Sequence, residues 1–466
     1  MASDQFRRQL KRETARWQQD GWISPDQHAR LAEHYRLEQV EEAAYGQFIT
    51  LLISIGCLLV GIGCITFVAA NWQLIPRLPK VLLLTTVFLA VNGTGFVLWR
   101  RPQSQSLGEG LLLLGALIFG GNLALMGQMF HQSGSGYGLC AAWSVGAMAM
   151  AYGLRLRSLG VLAQLLLGIA YVLWLRDVPW QWTEARSILD ALLQQAPLVT
   201  VALFLPLTYY ARSRSLFVLT ALGTLASLVV TLAQLVRLAA PEGVAIALGL
   251  TLPVGLLWSY NDRFWLRGEA ALTHSFRPAS RAIAIIYLSA GLYLFSFHSF
   301  WASVSSDVAE ALPLTDAIFP GLSVALLLLV SVAGWIHLGW PRRDRPWRLS
   351  ATDAVVLGLL GIVAGVCLVH WHVEPAAIVA TFLFNVLLAV LGIGIMREGL
   401  EESNRAQFWL GLVLLVLQIL SRVLEYNTGL LIKSLTFLAC GVAVITLGLW
   451  FERYARLSRR STTNHP

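Results

Sequence analysis

Apolar and polar residues alternate along this chain in long blocks. Fourteen apolar runs, at 48–70, 81–99, 108–127, 137–154, 158–175, 196–211, 215–236, 243–260, 282–300, 317–340, 354–372, 376–396, 406–424 and 430–451, are separated by short polar loops. A helix needs about 20 apolar residues to cross a hydrocarbon core of ~30 Å. Most of the runs meet that length, and 196–211 falls shortest of it. Lipid offers no partner to an open backbone, and the period-two pattern of a closed barrel is absent, so the runs are read as helices. The expected fold is all-α: a polytopic transmembrane helix bundle of about fourteen spans, within a range of 12–14.

The first 46 residues are polar and contain no apolar run of signal-peptide type. Residues 4–19 read as one helix with Phe6, Leu10 and Trp17 on one face, stopped by Gly21. Ser24-Pro25-Asp26-Gln27 then signals a helix start. Serine caps, proline takes the first helical position, and glutamine closes a capping box. The second helix turns Leu31, Tyr35 and Val40 inward and runs to about Ala44. A cytoplasmic helical hairpin is therefore expected in front of the spans. The chain divides on this reading into the hairpin (1–46), an N-terminal transmembrane unit (47–154), middle helices (155–405), and a C-terminal helical hairpin with a basic tail (406–466).

Composition agrees with a lipid environment. Hydrophobic residues make up 56% of the 466 and charged residues only 13%, about half the usual share of a soluble domain. The net charge of +8 is carried almost entirely by arginine. With the N-terminus placed in the cytoplasm, 27 of the 34 Lys and Arg fall in inside segments. Five fall outside (Arg77, Lys80, Arg176, Arg186 and Arg237), and Arg422 and Lys433 lie within spans near the outer surface. Such a bias follows the positive-inside rule. It leads to the expectation that both termini lie in the cytoplasm. Arginines in short loops beside apolar runs are topology signals rather than a nucleic-acid face, so no nucleic-acid partner is expected. The five cysteines (Cys57, Cys64, Cys140, Cys367 and Cys440) lie inside runs with no CxxC pair, which excludes a disulfide framework or zinc knuckle.

Three segments carry a family likeness. The first is Trp17 through Gly21-Trp22-Ile23-Ser24 to Tyr35. The second is Ala69-Ala70-Asn71-Trp72 with Ile75-Pro76 and Lys80. The third is Gly115-Ala116-Leu117-Ile118-Phe119-Gly120-Gly121-Asn122, running on to Gly127-Gln128-Met129-Phe130-His131. Together they resemble a family of bacterial predicted membrane proteins defined as a domain of unknown function, DUF2157. The last 60 or so residues, with Ser421-Arg422, Lys433-Ser434 and Phe437, are similar to the far end of its longer members, with Glu425 where that pattern has aspartate. The resemblance implies a protein of a bacterial inner membrane and no particular activity.

Candidate chemistry is sparse. Asn71 and Trp72 follow the first span, and either rim an outer opening or simply stop the helix. Asn122 lies mid-span among glycines that suit close helix approach. Gln128 and His131 share a face if their helix continues. Arg422 and Glu425 are three apart and can pair, and with Lys433 they either line a pocket or hold together the hairpin of the last two spans. These eight residues (Asn71, Trp72, Asn122, Gln128, His131, Arg422, Glu425 and Lys433) form the candidate polar pocket. His370, His372 and Glu374 offer donors that zinc or copper accept, but positions two apart on a helix do not share a face, so a metal site needs extended backbone there. Pro206, Pro253 and Pro320 are expected to kink their helices. No nucleotide loop, HExxH, GxSxG or dinucleotide fingerprint is present, and no cofactor is implied.

Three function classes remain open: carriage of a small solute or lipid-linked molecule, a membrane scaffold or sensor recruiting a cytosolic partner through residues 1–46, and an intramembrane enzyme acting on envelope lipid or glycan with Glu374 or His131 as acid–base group. Beyond these, the bilayer is the only partner implied, and no oligomeric state is. The topology itself is directly testable. Reporter enzymes fused after Ser135 and after Arg345 are expected in opposite compartments; both reporting the same compartment would refute the arrangement of spans.

Overall fold

A computed structural model of the chain describes residues 10, 13, 14, 16–35, 52, 53, 55, 56, 58–63, 66, 67, 70, 76–129, 134–177, 187–238, 242–262, 275–302, 314–339, 350–372, 376–401, 404–426 and 429–463. Among them there are helices and no strand. Among the described residues, twelve helices are long and apolar enough to cross a membrane, and one bent pair raises this to thirteen. The remaining expected run, 48–70, is helical at its described positions, which include Leu58–Gly63. The chain divides into two compact units, Met1–Ala170 and Tyr171–Pro466.

In the first unit, α1 (Pro25–Tyr35) begins as its sequence dictates. The Ser24 amide donates to Gln27 Oε1 (2.9 Å) and the Gln27 amide donates to Ser24 Oγ (3.3 Å), a reciprocal cap. Gly21, at φ 76°, takes the left-handed turn before it. Trp22 stands 77% exposed. The spans α2 (Arg77–Trp99) and α3 (Gln105–Met129) form a hairpin closed by a short 3-10 turn, where Ser104 Oγ donates to the Leu98 carbonyl. The helices touch through glycine: a Cβ at Gly108 would collide with the Trp99 backbone, and one at Gly115 with Asn92. On α4 (Gly136–Leu154), the Trp143 indole lies over Gly120 of α3. Arg155, at φ 57°, then turns the chain sharply into α5 (Arg157–Asp177), which crosses the boundary between the units.

The second unit opens with a break. Helices α6 (Ile188–Gln194) and α7 (Ala196–Tyr210) meet at Gln195 with their axes 84° apart. At 15 residues, α7 is about 22 Å long, shorter than the hydrocarbon core. The sharp bend therefore falls at Gln195, while α7 runs through Pro206. A polar clasp fixes α6: Trp174 Nε1 donates to Asp190 Oδ1 (3.1 Å), and Ser187 Oγ donates to Asp190 Oδ2 (2.8 Å). Arg212, at φ 48°, turns the chain into α8 (Arg214–Leu238).

Helix α9 (Glu242–Ser259) is the hub of this unit. It is the most buried of the candidate spans, and packs on α8, α10 (Arg277–Phe295), α12 (Leu314–Gly339) and α13 (Ala351–His372). A short α11 (His298–Ala302) follows α10. Reciprocal small pairs bring α9 against α12: a Cβ on Gly255 would lie 2.7 Å from Ser331 Oγ, and one on Gly334 would lie 2.6 Å from Ser259 Oγ. A larger residue at either glycine must therefore displace the facing serine or part the helices. Helices α14 (Ala377–Glu401) and α15 (Arg405–Glu425) use the same device at Gly392, Gly399 and Gly411. Asn404 caps α15, its Oδ1 accepting from the Ala406 amide at 3.1 Å. The last helix, α16 (Leu430–Thr463), packs on α15 through Phe451 stacked on Phe408 and leaves most of its apolar surface to lipid.

Close packing at Gly120 sets a measurable cost. Gly120→Val overpacks the Trp143 contact and is expected to lower stability by about 1–3 kcal/mol. Gly168→Ala, which meets open space in a helix, should instead gain up to roughly 1 kcal/mol. Thermal unfolding in detergent measures both, and an unchanged midpoint for Gly120→Val would contradict the packing.

Candidate functional site

Within the first unit, the glycine-rich motif serves packing. Asn122 Nδ2 donates to the Leu84 carbonyl (3.1 Å), tying α3 to α2, and Trp143 Nε1 donates to the Ala116 carbonyl (2.7 Å), tying α4 to α3. The Asn122 amide donor thus has a helix partner already. Gln128 is exposed at the end of α3, while Asn71, Trp72 and His131 lie outside the described residues.

The second unit brings Arg422 and Glu425 together. They form an ion pair on α15, with their side chains 15% and 16% exposed. Both reach the corner between α10 and α11. Arg422 Nη1 donates to the Ser296 carbonyl (2.6 Å), and the His298 amide donates to Glu425 Oε1 (2.8 Å). The guanidinium lies 3.9 Å over the Phe297 ring, a cation–π contact. Asn385 Nδ2 of α14 also donates to the Ser296 carbonyl (2.9 Å), and Gln418 Nε2 donates to the Asn385 carbonyl (2.7 Å). Helix α10 ends at Ser296 with carbonyls lacking helix partners, and the neighbouring side chains supply the missing donors. Arg422 and Glu425 clamp a broken helix from α15, and Lys433 sits half-buried on α16.

His370 closes the neighbouring corner. Its Nδ1 accepts from the Ala376 amide (3.1 Å), and its ring meets Trp301 and Trp371 edge-on. Helix α13 continues through His372, so the extended backbone that a His-x-His metal site needs is not adopted there. The His372 side chain and Glu374 lie outside the described residues, and among the described residues no group of three His, Cys, Asp or Glu could hold a metal.

Two polar networks at the arginine-rich end of the unit escaped sequence reasoning. Asp353 accepts from Trp258 Nε1 (2.9 Å) and Arg281 Nη2 (3.0 Å), joining α9, α10 and α13. Buried Asp262 accepts from Tyr209 Oη (2.7 Å), Ser275 Oγ (2.6 Å) and the Phe276 and Arg277 amides (3.0 and 3.1 Å). It thereby caps α10 from outside the helix, and Tyr260 Oη bonds in turn to Tyr209 Oη. No local spacing announces either network, because the partners come from distant helices. A third feature was legible. Thr220, Thr224, Ser227, Thr231 and Gln234 follow one face of α8 at spacings of four and three, and all are buried.

That face begins in the wall of a cavity of about 530 Å³. Helices α7, α8, α9 and α12 enclose it, with Leu225 and Leu327 among its lining residues and Tyr260 and Asn261 at the arginine-rich end. Its wall is almost wholly apolar. Val330 and Ala333 line the cavity and are also exposed on the surface of the unit, so it opens sideways toward lipid.

Residues 15–160 match the family described as Predicted membrane protein (DUF2157). The match runs from the N-terminal segment into the start of α5 and does not extend to the C-terminal residues in which a likeness was also expected. No curated protein and no solved structure matches the chain.

The clamp makes a quantitative prediction. Removing one partner of a buried ion pair strands the other, at about 3–5 kcal/mol. Arg422→Met is expected to destabilise strongly, and Arg422→Met with Glu425→Leu to recover part of the loss. A double variant less stable than the single one, by thermal unfolding in detergent, would show that the two residues are not coupled in this way.

Proposed function

We propose that the second unit binds and carries a small amphiphilic or lipid-linked molecule, with the apolar part of that molecule lodged between α7, α8, α9 and α12. The cavity is the single observation that carries this reading. Its volume of about 530 Å³ lies in the range of ligand pockets, ~300–1,000 Å³. Its walls are apolar, and its side opening reaches the solvent from which a greasy molecule would come. We further propose that the arginine-rich end of the bundle faces the cytoplasm of a bacterial cell, because 27 of 34 basic residues lie on that side of the spans. The cavity then occupies the cytoplasmic half of the inner membrane.

Filling the cavity tests the reading. Ala221 and Thr224 line it, and Ala221→Phe or Thr224→Leu would occupy it. Protein extracted gently from its membrane and weighed by native mass spectrometry is expected to carry a bound molecule, and both variants to lose it while remaining monodisperse. Retention of the same bound mass in both variants would overturn the proposal.

A further inference from the structure

The chemistry of the cavity wall narrows the ligand. This step rests on the cavity reading above and names the class of molecule. From Phe217 to Leu225, α8 covers about 12 Å of the cavity's length, close to half of a ~30 Å hydrocarbon core. The space therefore matches a chain that reaches to mid-membrane from one leaflet. The polar groups along it are mainly hydroxyls, and each has one O–H to donate and lone pairs to accept with. Those donors are already engaged. Thr220 Oγ1 donates to the Leu216 carbonyl (2.9 Å), Thr224 Oγ1 to the Thr220 carbonyl (2.8 Å), and Ser259 Oγ to the Leu256 carbonyl (3.4 Å). At the arginine-rich end, Tyr209 Oη donates to Asp262 (2.7 Å), so the bond between the two phenols takes its proton from Tyr260. Asn261 is itself partnered. What the hydroxyls offer to a ligand is acceptor capacity without donors.

An anionic headgroup, which only accepts, would meet lone pairs there, with the Asp262 carboxylate one residue beyond Asn261. A cationic headgroup would find that carboxylate already holding four donors, Tyr209, Ser275, Phe276 and Arg277, which fills its lone-pair sites. A buried charge without a partner is costly. We infer that the cavity takes a single-chain neutral lipid whose polar end is a hydrogen-bond donor, a long-chain alcohol, with its tail toward Leu225 and Leu327 and its hydroxyl donating to the Tyr260 oxygen.

Three probes with one tail decide it: hexadecanol, hexadecanoate and hexadecyltrimethylammonium, each carrying a diazirine at the tenth carbon, the depth of Leu225. The full chain in neutral detergent micelles is irradiated with each probe at pH 8 and digested. The alcohol is expected to label peptides containing Leu225 and Leu327, competed by plain hexadecanol, at least about tenfold more than either charged probe. Tyr260→Phe should reduce that preference without abolishing tail labelling. Equal or stronger labelling of those peptides by the acid or the ammonium probe would overturn the alcohol assignment and leave the cavity as a lipid site. Failure of all three to label those peptides would overturn the cavity reading and this inference together. If Tyr260→Phe fails to fold, the comparison of probes on the unaltered protein still decides.

Discussion

Hydrocarbon accepts no hydrogen bonds, and this one property of the solvent shapes the polar contacts of the spans. Backbone groups turn inward as helix. Threonines within spans return their hydroxyls to the preceding turn, as Thr94 does to Ala90, Thr251 to Ala247 and Thr446 to Val442. Where one helix grips another, the recurring form is a side-chain donor reaching a main-chain carbonyl that already serves its own helix. Asn122, Trp143 and Ser144 do this in the first unit, and Tyr287 does so in the second. Such bonds contribute only about 0.6 kcal/mol on average in membranes. Their main effect is to set register, while the closeness of the helices comes from glycine and serine at the contacts.

The cavity follows from the same economy of small residues. Gly255, Ser259, Ser331 and Gly334 draw α9 and α12 into contact along one edge. On α8, small residues at Thr220, Ala221 and Thr224 face the space bounded by α7 and α12 and do not fill it. Helix α7 is short and starts at a bend. The close contact of α9 with α12 thus borders the open space, Ser259 and Gly334 belonging to both.

Local features were legible in the sequence, and features made between distant segments were not. Ser24 and Gln27 form the capping box that their spacing announces, and Arg422 pairs with Glu425 as two residues one turn apart can. The apolar runs became helices because their length and composition leave no other outcome in lipid. The bend at Gln195 was missed because a run of apolar residues looks the same whether one helix or two bear it. The clamp on Ser296 was missed because its acceptor is a backbone carbonyl, which any residue carries. Asp353 with Arg281, and Asp262 with Tyr209, join positions 72 and 53 residues apart, and no pattern in a single sequence connects them. The hydroxyl face of α8 is the exception: its spacing of four and three was available to be read.

Arg155 and Arg212 hold left-handed backbone at two tight corners, a conformation that burdens an L-residue by roughly 1–2 kcal/mol and that glycine accepts freely. Each is also a positive charge flanking a span, the kind of residue that biases how a chain is threaded during insertion. Two demands thus act on one position at different moments, one while the chain enters the bilayer and the other once it has settled. Selection for heat resistance alone would push both corners toward glycine, and selection for faithful biogenesis would push them back. The finished molecule keeps a small tension at each corner as the trace of how it was made.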